Sequence, residues 1–76
     1  MNEDRRKKLF SASTKIAEAQ SLVEDIKMEE EDSLENLPES MKEGEKGQKA
    51  EAAVEALVEA YDALDQALEH ISTATE

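Results

Sequence analysis

Cysteine is absent from this 76-residue chain, so neither a disulfide nor a cysteine-bound metal is available to hold it together. Glycine occurs only as Gly44 and Gly47, and proline only as Pro38. All three fall mid-chain and leave long flanks free of helix breakers. The only aromatics are Phe10 and Tyr61. No apolar run approaches the roughly 20 residues that span a bilayer. Arg5, Arg6, Lys7 and Lys8 are followed by no long apolar stretch and no small-residue cleavage site, which argues against a secretory signal. The missing cysteines fit a cytosolic protein, so a cytoplasmic location is expected. A single domain of this size rarely stabilises itself by more than a few kcal/mol unaided. Idealised helix packing, oligomerisation or both are the means left to it.

What is present is a pair of stripes. Ala50, Val54, Leu57, Tyr61, Leu64, Leu68 and Ile71 recur at alternating spacings of four and three. Beside them Ala53, Ala56, Ala60, Ala63, Ala67 and Ala74 follow the same alternation, with His70 filling the one gap. Each stripe is a coiled-coil type seam on one helix. A helix in a lone hairpin needs one apolar stripe, so the second calls for another neighbour. Alanine at nearly every position lets helix axes approach to the low end of the usual separation of about 8–10 Å. The plainer alternative is that alanine only raises helix propensity on a partly exposed face.

The expected architecture is all-α: an antiparallel two-helix hairpin of coiled-coil type, dimerising into a four-helix bundle. A single domain covers residues 1–76, with a first helix over about 3–36, a linker over about 37–47 and a second helix over about 48–73. Asn2 is placed to cap the first helix, with Glu3 and Asp4 suited to its dipole. Leu9, Ala12, Ile16, Ala19, Val23 and Ile26 form its seam, which continues through Glu30 and Ser33 to Leu37; Leu22 and Leu34 widen it. Pro38 ends the helix and opens one short turn. Equal rise along antiparallel helices sets Ile16 against Leu68, Val23 against Tyr61 and Ile26 near Leu57. The expected intrachain core is Ile16, Val23, Ile26, Leu57, Tyr61, Leu64 and Leu68. The same register brings Glu35 level with Lys49.

Net charge is −11 and unevenly placed. Residues 1–15 hold five basic and two acidic side chains, whereas residues 24–45 hold ten acidic and two basic. A field of this sign repels nucleic acid and anionic membranes and attracts basic proteins. Glu29, Glu30, Glu31, Asp32 and Glu35 form the candidate site for a basic partner, or an imitation of a phosphate backbone; the simpler reading is a solvated face. Like charges crowded at the loop end cost stability, which motivates the functional reading. The basic run Arg5–Lys8 sits at a helix N-terminus, where the dipole disfavours it, and pairing within the chain or dimer is preferred to binding nucleic acid.

Catalytic chemistry finds little support. His70 is the only histidine, and no nucleophile–base constellation is visible. Ala67 stands three residues before His70, so the Glu-x-x-His pair of carboxylate-bridged di-metal bundles is absent. No enzyme activity, cofactor or metal is expected.

The acidic end of the first helix, the segment Leu37-Pro38-Glu39-Ser40-Met41, the polar glycine-containing stretch and the Ala/Glu-rich heptad helix together resemble small, largely uncharacterised prophage-encoded hairpin proteins. The resemblance implies a phage or prophage origin and a bacterial cytoplasm, and carries no site residues. The functional expectation is a non-enzymatic protein-interaction module that self-associates through Ala53, Ala56, Ala60, Ala63, Ala67, His70 and Ala74. The alternative is a phage-type acidic inhibitor or nucleic-acid mimic that blocks a basic groove on a host protein.

Overall fold

A computed structural model describes residues 1–76. The chain is all-helical: α1 runs Glu3–Glu35, α2 Glu39–Lys42 and α3 Glu45–Ala74. The long helices α1 and α3 lie antiparallel, giving a rod of 58 × 14 × 13 Å. Its radius of gyration is 17.3 Å, against roughly 11 Å for a compact chain of this length. The Asn2 side chain caps α1 by accepting from the Arg5 backbone N–H at 2.8 Å, and Glu3 and Asp4 occupy the first turn. Neither α1 nor α3 has a basic residue in its last turn.

The seam of α1 is rotated from the expected one. The residues turned toward α3 are Leu9, Ser13, Ile16, Gln20, Val23, Lys27, Glu30, Leu34 and Leu37. Leu9, Ile16, Val23, Glu30 and Leu37 keep their expected places. Ser13, Gln20, Lys27 and Leu34 replace Ala12, Ala19, Ile26 and Ser33. Gln20 and Lys27 have long apolar stems whose polar heads reach the edge of the contact. Gln20 Nε2 donates to the Tyr61 carbonyl at 3.4 Å and to Asp65 Oδ1 at 3.3 Å. Lys27 Nζ pairs with Glu24 at 3.2 Å and Glu31 at 3.5 Å. Ile26, expected in the core, is 43% exposed. The α3 seam of Ala50, Val54, Leu57, Tyr61, Leu64, Leu68 and Ile71 does face α1, each residue half-buried. Gln20 meeting Tyr61 and Asp65, and Arg6 meeting Thr75, agree with the expected register to within a turn.

No apolar side chain is fully buried anywhere in the chain. The buried residues are Gln20 and Gly47. Gly47 is buried because α2 crosses over it: a Cβ built there would lie 1.9 Å from the Lys42 carbonyl oxygen. α3 begins at Glu45 rather than near Gln48, so Gly47 falls within its first turn. Gly47 lies inside the helix, and its poor helical propensity is the cost of folding the turn back tightly. Leu37 and Met41 are half-buried at this end.

Two outcomes follow. Gly47→Ala forces α2 away from α3 and lowers stability by about 1–3 kcal/mol. Gly44→Ser is neutral or gains a few tenths, since Gly44 is an N-cap where an added Cβ makes only ordinary van der Waals contact with the Ser40 and Met41 carbonyl oxygens. Urea titration by circular dichroism separates them, and equal effects would contradict the crossover. Gln20→Leu raises the melting temperature by about 4–8 °C, because its long hydrogen bonds return less than an apolar residue at a seam position.

Candidate functional site

The two helices divide the rod into two side faces, and helical geometry assigns the residues that flank the seam to one or the other. Glu3 and Phe10 of α1 line one groove with Ser72 of α3. The α1 row of Phe10, Ala17, Glu24 and Glu31 therefore shares a side with the α3 row of Glu51, Val58, Asp65 and Ser72. The contact of Gln20 with Asp65 belongs to that same side. Phe10, Met28 and Val58 are exposed there, but charged side chains separate them: Glu24, Glu31, Glu51, Glu55, Asp62 and Asp65.

The opposite face is different. From α1 it takes Ala12, Ala19 and Ile26, with Leu22 just outside them. From α3 it takes Ala53, Ala60 and Ala67, with Ala56 and Ala63 just outside. Between Ala12 and Ile26 on one helix and Ala53 and Ala67 on the other, the inner rows carry no charge. Leu22 is 60% exposed, and Ala19, Ala56 and Ala63 are exposed as well. Ala12, Ala53, Ala60 and Ala67 are half-buried by the neighbouring helix. His70 and Ala74 lie exposed at the open end of the same face. The alanine stripe read from the sequence is thus half of a broader apolar face. The α1 half is not evident from spacing alone, because Ala12, Ala19 and Ile26 fit the intrachain seam equally well by sequence. Gln20 and Lys27, each one residue beyond an expected seam position, were the available signal.

No family model, curated protein or solved structure matches this chain. The reading of the site rests on its own geometry.

The acidic candidates do not form one plate. Glu29, Glu30, Glu31 and Asp32 are consecutive, so they point about 100° apart around α1. Glu30 and Glu31 are half-buried, and Glu31 is tied to Lys27; Glu29, Asp32 and Glu35 project into solvent. Nowhere do three or more His, Asp or Glu side chains converge as metal donors. Every ion pair joins residues three or four apart in one helix. Lys49 pairs with Glu45 at 3.1 Å rather than with Glu35. Of the basic run, Arg6 alone crosses to α3, its Nε donating to the Thr75 carbonyl at 3.3 Å. No helix is long and apolar enough to cross a membrane.

The groove at the open end has a volume of about 620 Å³ and is lined by Arg6, Lys7, Phe10, Ser13, Leu68 and Ser72 among others. None of its three hydroxyls, on Ser13, Ser72 and Thr75, has a histidine or carboxylate hydrogen-bonded to it, so no activated nucleophile is assembled.

Glu24 and Glu31 hold the Lys27 ammonium above the ordinary lysine value of 10.5, the hydrogen bond to Glu24 being the largest cause. A raised folded-state value means a stabilising contribution that is complete below 10.5 and lost as pH climbs through the folded value. The expected difference in melting temperature between the native chain and Lys27→Ala is flat from about pH 6 to 9 and shrinks only in stronger alkali. A difference that already fades near neutrality would contradict the pairing.

Proposed function

We infer that the chain is a non-enzymatic protein-interaction module that associates with a second copy of itself through the Leu22–Ile26–alanine face, making a four-helix bundle. One observation carries this reading: no apolar side chain is enclosed, while Leu22, Ile26 and the alanines of both helices form a side face whose inner rows carry no charge, in contrast to the opposite side, where charged residues separate Phe10, Met28 and Val58. The surface area supports it. The chain exposes 5699 Å², whereas a compact monomer of 8.4 kDa exposes roughly 4,600 Å². The excess of about 1,100 Å² compares with the roughly 800 Å² that each partner buries in a standard interface. Small side chains permit close approach of the second pair of helices, and the larger Leu22 and Ile26 supply apolar area.

Sedimentation equilibrium should return twice the 8.4 kDa chain mass. Ala60→Glu with Ala63→Glu places four carboxylates in the bundle centre and should return the monomer mass. A native chain that stays monomeric at high micromolar concentration contradicts the reading. A monomer that instead captures a basic protein from bacterial lysate, losing it on charge reversal at Glu29, Glu30, Glu31 and Asp32, would favour the acidic inhibitor.

A further inference from the structure

We propose that the second copy packs end to end: α1 on α1 and α3 on α3, each pair antiparallel, about a twofold axis passing near Leu22 and Ala60. This rests on self-association through the face described above and adds its direction.

Charge sets the direction. The C-terminal end of α1 is charged against its own dipole by Glu29, Glu30, Glu31, Asp32 and Glu35, and at the N-terminal end the favourable Glu3 and Asp4 are followed at once by the unfavourable Arg5, Arg6, Lys7 and Lys8. The fold leaves most of this uncorrected, since ion pairs stay within single helices and only Arg6 reaches across. Antiparallel packing lays the basic end of one α1 on the acidic end of the other and relieves both. The parallel dimer does the opposite. It sets residues 24–45, with ten acidic and two basic side chains, beside the same segment of the partner.

The rows on the face have matching symmetry. Lys15 and Glu29 stand seven residues either side of Leu22. Neither has an ion pair within its own chain, so an axis at Leu22 brings each to its counterpart on the other copy. The same axis sets Ala19 within one residue of Ile26, a small side chain beside a large one. On α3, an axis at Ala60 sets Ala53 against Ala67 and Ala56 close to Ala63. Gln20 meets Tyr61 and Asp65, so Leu22 lies about level with Ala60. One axis therefore serves both helices, although their sequences are unrelated.

Two measurements test the direction. A spin label on Arg5→Cys, the chain having no other cysteine, should report an interprotomer separation of about 50 Å in the antiparallel dimer. In a parallel dimer the labels share one end and lie about 10–25 Å apart, one or two helix diameters. In the second measurement, Lys15→Glu and Glu29→Lys each weaken dimerisation by about tenfold, because a weak exposed pair is reversed twice per twofold dimer. The double variant Lys15→Glu/Glu29→Lys should return to within about threefold of the native dissociation constant. A dimer with the short label distance, or a double variant as weak as the sum of the singles, overturns the end-to-end arrangement and leaves self-association standing. A labelled and unlabelled chain that are both monomeric overturns both.

Discussion

Two helices in contact hide only the stripe along which they touch. Every apolar side chain in such a pair keeps one flank in water, however well the seam is chosen. This chain meets that limit directly: its seam residues are half-buried, and its only buried positions are a glutamine and a glycine. The elongated shape, the excess surface and the apolar side face all follow. The fold has no third element to cover that face, because α2 is a single turn spent closing the loop.

The polar residues in the seam give that limited contact its definition. Gln20 and Lys27 stand where apolar residues would bind more strongly, and their heads reach fixed partners at the edge. With Gln20 and Lys27 in the seam, Ile26 and Leu22 face the same side as the alanines of α3. A polar seam on one side and an apolar face on the other are thus one decision about the rotation of α1. Charge adds a second asymmetry, along the rod rather than around it. The basic N-terminal stretch of α1 and the acidic loop end are complementary to each other, and a single rod cannot bring its own two ends together.

The two long helices, the mid-chain turn at Pro38, the Asn2 cap and the α3 seam were legible in the sequence, because heptad spacing and capping chemistry are local signals. The rotation of α1 was not. Its two overlapping rows share Leu9, Ile16, Val23 and Leu37, and they differ in whether Ala19 and Ile26 or Gln20 and Lys27 complete the seam. Hydrophobicity favours the first pair; the reach of Gln20 across the contact to the Tyr61 carbonyl and Asp65 favours the second. Gly47 misled for a similar reason. Its low helical propensity marked it as linker, whereas the close passage of Lys42 makes glycine necessary inside α3. The alanine half of the candidate face was visible from sequence, but its α1 half depended on that rotation.

If the hairpin is one half of a buried core, folding and association are linked, and stability must depend on protomer concentration. Thermal unfolding followed by circular dichroism from about 1 to 500 μM is the most direct test. A melting temperature that climbs steadily with concentration is the predicted result. A melting temperature that stays constant across that range, with the chain well folded at its lowest concentration, would contradict it.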